Sequence, residues 1–208
     1  ATGSGSANFR LDKRIPLAAG LGGGSADAAA ALRLMARLYP EHAAQADLPA
    51  IALKLGSDVP FMLSGAVAAH GRSRGERLAP FAVPERHVVL ANPGVTVGSG
   101  EAFGWLQSFS RRLDLSAIQT ALEQGTEPRW PNALMPGVTR EVREVRTVLA
   151  ALRDLGLNGV IMSGSGPTCF GLAADEQAAL TAAEQLQAAW PDWWVHTDRL
   201  GVSTVSAG

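Results

Sequence analysis

Four glycines in five positions, Gly20, Gly22, Gly23 and Gly24 around Leu21, stand directly ahead of a run rich in Ala and Leu. Few patterns constrain a chain more. Glycine reaches positive φ without steric penalty and has no side chain to hold a ligand away. Ala26 to Leu38 consists of strong helix formers, and Pro40 closes it. Upstream, Asn8 to Leu17 alternates loosely, with Phe9, Leu11 and Ile15 between polar neighbours, which predicts a strand ending near Pro16. The first N–H groups of a helix lack intrahelical partners and carry the positive end of its dipole. A glycine-rich link into such a terminus is therefore an anion site, most often for phosphate. A glycine turn that merely lets strand and helix pack closely is the alternative. Glycine density, the flanking elements and Ser25 at the expected cap position favour the anion site. At Gly23 a side chain is expected to fill the space the phosphates need and to forbid a positive φ.

Two familiar phosphate ligands fit poorly. A Walker A loop ends Gly-Lys-Ser/Thr, whereas this one ends Gly24-Ser25 without a lysine. A dinucleotide fold wants its third glycine where Ser25 or Ala26 stands, and an acidic residue after a second strand. Glu41 lies near the right distance but follows a helix and a proline.

The rest of the chain alternates strands and helices, which predicts an α/β or α+β class. Helices are expected over Leu48 to Leu55, Glu141 to Leu155 and Asp175 to Trp190. Strands are expected at Val88 to Ala91, Gly159 to Met162, Thr168 to Leu172 and Trp193 to His196. Gly71 to Gly75 reads as a turn, Pro80 and Pro84 as a seam, and Ala1 to Ala7 as linker. With 208 residues, 47% of them hydrophobic and 18% charged, the chain can build one ordinary domain or two small ones. Lys and Arg number 18 against 19 Asp and Glu, which leaves no electrostatic footprint for nucleic acid. The single Cys169 excludes a disulfide framework and reads as a small buried hydrophobe; a reducing, cytoplasmic location is expected. No apolar run is long enough for a bilayer, so no membrane partner is expected. His42, His70, His87 and His196 lack metal-ligand spacing, so no protein-held metal is expected. Trp190, Trp193 and Trp194 read as packing rather than base stacking.

The segment Pro16-Leu17-Ala18-Ala19-Gly20-Leu21-Gly22-Gly23-Gly24-Ser25-Ala26-Asp27-Ala28-Ala29 resembles the glycine-loop motif of the GHMP small-molecule kinases. Leu55-Gly56-Ser57-Asp58-Val59-Pro60-Phe61 resembles the Gly-Ala-Asp-Val-Pro segment of one branch, the kinases of 4-diphosphocytidyl-2-C-methyl-D-erythritol. Gly71 to Leu78, Asn92-Pro93-Gly94-Val95 and Met162-Ser163-Gly164-Ser165-Gly166-Pro167-Thr168-Cys169-Phe170 continue in that branch's order. The resemblance runs from about Phe9 to Trp194.

It implies an α+β fold with two lobes. Residues 1–84 would be an incomplete N-terminal lobe like ribosomal protein S5, and 85–208 a ferredoxin-like C-terminal lobe. The family's opening strand-rich segment, with a catalytic lysine and much of the substrate pocket, has no match here. ATP binding is expected to survive that absence and full activity to be lost. The implied reaction passes the γ-phosphoryl of ATP to the 2-hydroxyl of 4-diphosphocytidyl-2-C-methyl-D-erythritol, a step in making isoprenoid precursors. Alternatives are a GHMP kinase for homoserine or mevalonate, disfavoured by Gly56 to Pro60, or a non-catalytic nucleotide-binding fragment. Oligomeric state is not implied.

Residue by residue, the resemblance assigns ATP to Lys13 and to Pro16, Leu17, Ala18, Ala19, Gly20, Leu21, Gly22, Gly23, Gly24, Ser25 and Ala26. Mg²⁺ would neutralise the phosphate oxygens, with Ser25 as a direct or water-mediated ligand. Lys13 read alone is a solvated strand-edge lysine. Asp58 read alone caps a turn; the motif makes it the catalytic aspartate that accepts the hydroxyl proton and aligns the nucleophile. A carboxylate is a far weaker base than an alkoxide, so proton transfer would be late or concerted. The turn Ser163 to Gly166 would close the site beside phosphates and substrate, with Gly164, Ser165 and Gly166 binding substrate, where the residues alone suggest a tight hairpin. Ser99 and Phe103 match a segment lining the substrate pocket, although a Phe in an amphipathic stretch is more often core.

Overall fold

The computed structural model describes residues 6–109 and 113–201. Backbone packing divides them into two compact units, 6–14 with 22–82 and 15–21 with 83–201. The chain thus leaves one unit and enters the other inside the glycine run, between Leu21 and Gly22.

The first unit carries α1 (Gly23–Leu38), α2 (Pro40–Ala43), α3 (Leu48–Leu55), α4 (Val59–Ser64), β1 (Ala69–Arg72) and β2 (Arg77–Pro80). Helix α1 starts three residues before the expected Ala26, because Gly22 takes a left-handed conformation (φ 65°) at the cap. Ser25 therefore lies inside the first turn and is not the cap residue. Asp47 caps α3 by accepting the Ala50 N–H at 3.0 Å, and Pro49 occupies that helix's first turn, where its missing N–H costs nothing. Ala29, Ala52 and Val59 form a small buried core, backed by Leu32, Met62 and Leu63. Arg33 donates to the Met62 carbonyl at 2.7 Å, which satisfies an orphan acceptor of α4's last turn. Strands β1 and β2 make an antiparallel hairpin, Ala69 opposite Pro80 and Arg72 opposite Arg77.

The strand expected over Asn8 to Leu17 does not form. Alternation marks a strand only when a sheet face buries every second residue and a neighbour takes up its N–H and C=O groups. Here β1 and β2 pair with each other, and Phe9 and Leu11 stay 55% and 64% exposed.

The second unit contains β3 (Arg86–Asn92), α5 (Ser99–Gly104), α6 (Leu115–Gln124), α7 (Met135–Glu141), α8 (Arg143–Asp154), β4 (Asn158–Met162), β5 (Cys169–Leu172), α9 (Glu176–Ala189) and β6 (Trp194–Leu200). Its sheet is antiparallel in the order β4-β5-β3-β6, with α8 packed on β4 and β5 and α9 on β3 and β6. The succession β3-α8-β4-β5-α9-β6 in that strand order is the ferredoxin-like arrangement expected of the C-terminal half. Helix α8 shows why the pattern was readable: Val145, Val148, Leu149 and Leu152 fall on one face, and all are buried. It begins at Arg143 because Val142 is extended (φ −115°, ψ 96°) and breaks it from α7. The core joins that face to Val89 and Ala91 of β3, Met162, Cys169, and Ala179, Ala182 and Leu186 of α9. Trp193 completes the core and stacks on Trp190 with ring centroids 4.6 Å apart, so these indoles pack. No described helix is long and apolar enough to cross a membrane. The described residues include no group of three or more His, Cys, Asp or Glu that could hold a metal ion.

Two predictions follow from this packing. Gly137 lies in α7 with no room for a side chain, since a Cβ would sit 2.4 Å from the Trp105 carbonyl oxygen. Alanine in a helix normally gains about 0.5–1 kcal/mol over glycine. Overpacking of about 1–3 kcal/mol should reverse that, so Gly137→Ala lowers the melting temperature. Gly104→Ala, facing open space in α5, should leave the melt unchanged or slightly raised.

Burial in the core pushes the Cys169 thiol from near 9.0 up to about 12, with Arg153 opposing weakly. The folded pKa exceeds the unfolded one, so this contribution to stability is full below about pH 9. It fades as pH climbs from there toward the folded value. Native protein at pH 8 should resist thiol alkylation that goes to completion once unfolded. Alkaline loss of stability should shrink in Cys169→Ala. Rapid alkylation of the native thiol would contradict the burial.

Candidate active site

In the first unit the site is built on the start of α1. The helix's opening hydrogen bond runs from the Ala26 N–H to the Gly22 carbonyl at 2.9 Å. The N–H groups of Gly23, Gly24 and Ser25 precede it, so none has an intrahelical acceptor. No side chain caps the helix, and its first turn has no acidic residue, so the positive dipole end of sixteen residues is uncompensated. The positive φ expected at Gly23 falls instead on Gly20 (72°) and Gly22 (65°). Gly23 is helical. A Cβ at Gly24 would meet nothing within 4 Å.

Ser25 lies beside the link that leads from α3 to Asp58 and α4. The link from α3 to α4 is Gly56-Ser57-Asp58, and a Cβ at Gly56 would stand 3.9 Å from Ser25 Oγ. Asp58 occupies the position before α4, yet its exposed side chain makes no capping hydrogen bond. Its backbone carbonyl accepts the Met62 N–H at 3.1 Å. The carboxylate is thus held on a fixed backbone and is not consumed as a cap. Gly75, in the β1–β2 turn at φ 111°, presses on this link from behind: a Cβ there would lie 3.2 Å from the Ser57 carbonyl. Lys13 belongs to no strand; its Nζ pairs with Asp27 on α1 at 2.5 Å, half-buried. That corrects the picture of a solvated strand-edge lysine.

In the second unit, Ala19 and Gly20 lie against the turn that joins β4 to β5. The Thr168 N–H donates to the Ala19 carbonyl at 3.3 Å, and Ser163 Oγ donates to the Gly20 carbonyl at 2.8 Å. A Cβ on Gly20 would fall 2.3 Å from the Ser163 carbonyl and 2.7 Å from the Gly166 nitrogen; one on Gly164 would fall 2.8 Å from the Gly20 carbonyl. Thr168 is itself fixed by Asn92, whose Nδ2 donates to its Oγ1 at 2.8 Å; both side chains are buried. Ser99 and Ser165 come together, Oγ to Oγ at 3.3 Å. Ala18 is left-handed (φ 50°), Leu17 is 74% exposed, and Pro16 is half-buried. Phe103 is 62% exposed on α5, which removes the reading of it as core.

The sites assigned from sequence therefore gather as two sets. Gly22, Gly23, Gly24, Ser25, Ala26, Lys13 and Asp58 belong to the first unit. Pro16 to Leu21, Ser99, Phe103 and Gly164 to Gly166 belong to the second. The sequence reading gave no role to Asp27 or Asn132, and placed Ser163 only as the first residue of the turn that closes the site. Asn132 Nδ2 donates to the Met162 and Gly164 carbonyls. A serine in a glycine turn is a visible signal; a single asparagine after a proline is not.

Two family models match the chain, "GHMP kinases N terminal domain" over residues 1–66 and "GHMP kinases C terminal" over 106–192. A protein of Deinococcus radiodurans named 4-diphosphocytidyl-2-C-methyl-D-erythritol kinase is 49% identical, across 99% of this chain and 71% of its own length. A crystal structure titled 4-(cytidine 5'-diphospho)-2C-methyl-D-erythritol kinase superposes with a TM-score of 0.81 at 43% identity, covering 92% of this chain and 70% of that one. The homoserine kinase of Cytophaga hutchinsonii reaches a TM-score of 0.63 at 18% identity over 91% of this chain and 68% of that one, a likeness of fold alone. With both family models matched and near half of all residues shared with a named kinase, the chain belongs to the GHMP kinase family of small-molecule kinases.

Proposed function

We propose that this kinase transfers the γ-phosphoryl of ATP to the 2-hydroxyl of 4-diphosphocytidyl-2-C-methyl-D-erythritol. The observation that carries the choice of substrate is the 49% identity, over 99% of the chain, to a relative of that name. The homoserine alternative has only a shared fold to support it.

Phosphoryl transfer asks a protein for positioning and charge stabilisation more than for covalent chemistry. Three uncapped N–H groups at the start of α1 suit a polyphosphate, and the glycines let it approach the backbone. The residues fit a magnesium ion that arrives with the nucleotide rather than one the protein holds alone. Mg²⁺ keeps most of its waters and takes one or two protein oxygens, and Ser25 Oγ supplies a suitable one. When bound, the ion would neutralise phosphate oxygens. Lys13, held by Asp27, would add positive charge near α1. Asp58 would accept the hydroxyl proton and orient the attacking oxygen, a role open to a carboxylate that caps nothing. Gly164, Ser165 and Gly166, with Ser99 and Phe103, would contact the substrate.

With the family's opening strand-rich segment supplied, release of ADP on addition of the cytidine-bearing alcohol, with none on addition of homoserine or mevalonate, is the expected result. Acceleration by homoserine instead would overturn the substrate assignment.

The phosphate site makes a separate prediction. A Cβ at Gly24 meets nothing within 4 Å, so the fold of Gly24→Val should persist, while a branched side chain in the glycine run should crowd a bound phosphate. ATP affinity should fall at least about tenfold, or about 1.4 kcal/mol, with the melting temperature nearly unchanged. Titration with ATP beside a thermal melt reads both; undiminished affinity would remove the phosphate cradle.

In a version that carries the family's opening segment, Asp58→Asn should lower kcat by about 10²–10⁴-fold while ATP affinity changes little. Stability should change by less than about 1 kcal/mol, since Asn caps nearly as well and no cap bond exists to lose. A kcat near that of the parent would exclude Asp58 as the base.

A further inference from the structure

We infer that Asn132 is a positioning residue for the nucleotide, acting through Ser163 on the carbonyl of Gly20. The inference rests on the reading that the glycine run holds ATP. Asn132 lies half-buried between α6 and α7 and uses its amide fully. Both Nδ2 hydrogens are directed at carbonyls, Met162 at 2.9 Å and Gly164 at 2.8 Å. Its Oδ1 accepts the Leu134 N–H at 2.9 Å, which fixes the amide's orientation and ties it to the start of α7.

The two carbonyls flank Ser163 on either side. Ser163 has no slack of its own. Its N–H donates to the Thr168 carbonyl at 2.9 Å, its carbonyl accepts the Gly166 N–H at 2.8 Å, and its hydroxyl donates to the Gly20 carbonyl at 2.8 Å. Gly20 cannot shift toward the turn, because the Ser163 and Gly166 backbone already fills the space a Cβ would need. A displacement of residues 162–164 therefore moves the Gly20 carbonyl with it. Asn132 is the side chain that holds both ends of that three-residue span, from thirty residues away in sequence. It has no place among the ATP or substrate contacts proposed above, and its effect on nucleotide binding must be transmitted.

The test compares ATP affinity per folded molecule in the parent, Asn132→Asp, Ser163→Ala and the double variant. Asn132→Asp keeps the shape but sets a carboxylate oxygen against two carbonyl oxygens. Asn132→Ala serves if that variant fails to fold. Each single change should raise the ATP dissociation constant about tenfold, the scale of one or two lost hydrogen bonds. The double variant should be no weaker than the weaker single, since both remove one link in series. Amide hydrogen exchange at residues 19–21 should quicken in the Asn132 variant without ATP present. A merely structural asparagine would lower the melting temperature and leave the dissociation constant and the local exchange alone, which would overturn the inference. Losses that multiply in the double variant would also overturn it. Failure of the parent to bind ATP would overturn the nucleotide reading itself, an outcome distinct from unequal variants of a parent that binds.

Discussion

Everything in the second unit's share of the site depends on how closely the backbone at Gly20 approaches the turn between β4 and β5. There is no space there for a single carbon atom. Such proximity lets one hydroxyl, that of Ser163, hold a loop carbonyl, and lets Thr168 hold the one before it. The Thr168–Ala19 contact joins two buried residues, and the Ser163–Gly20 contact is partly buried. Each buried group among them would otherwise be an unmet donor or acceptor, which costs more than the bond itself contributes. The buried Asn92–Thr168 pair carries the same constraint into the central strand β3.

In the first unit the controlling fact is an absence of compensation at one helix end. Most helices cap their N-terminus with Ser, Thr, Asp or Asn. Helices α3, α6 and α9 do so, through Asp47, Asp114 and Asp175. Helix α1 uses a glycine and leaves its first turn without an acidic side chain. Helices α2, α7 and α8 also lack a side-chain cap, so at α1 it is the run of glycines beside the open terminus that sets it apart. Asp58 repeats the theme with a carboxylate in a cap position that is left free.

Much of this was legible in the sequence. Helices α3, α8 and α9 and strands β3 to β5 announced themselves by periodicity and by the prolines and glycines at their ends. Glycine density located the anion site. The failures have specific causes. Alternation at Phe9, Leu11 and Ile15 suggested a strand, but a strand is a property of a pair, and no partner is present among the described residues. Ser25 looked like a cap because Ser commonly is one, whereas a left-handed glycine three residues earlier took that place. Gly23 looked like the strained residue; which members of a glycine run adopt positive φ is decided by what lies beside them, and the neighbours of Gly20 are residues 163–166. Asn132 was invisible for the same reason, since its partners lie 30 and 32 residues away.

The bond from Ser163 to Gly20 spans 143 residues, against 30 from Asn132 to Met162. On the logarithmic scaling of loop closure, the longer span costs about 1.4 kcal/mol more in chain entropy. The four-stranded sheet lies within residues 86–200, and its β3–β6 pairing, Arg86 opposite Leu200, is itself a long closure. Docking residues 15–21 against the turn between β4 and β5 thus carries a chain-closure cost that the Asn132 contacts do not. A ligand that binds the glycine loop only in its docked form offsets that cost by mass action, so ligand and loop protect one another.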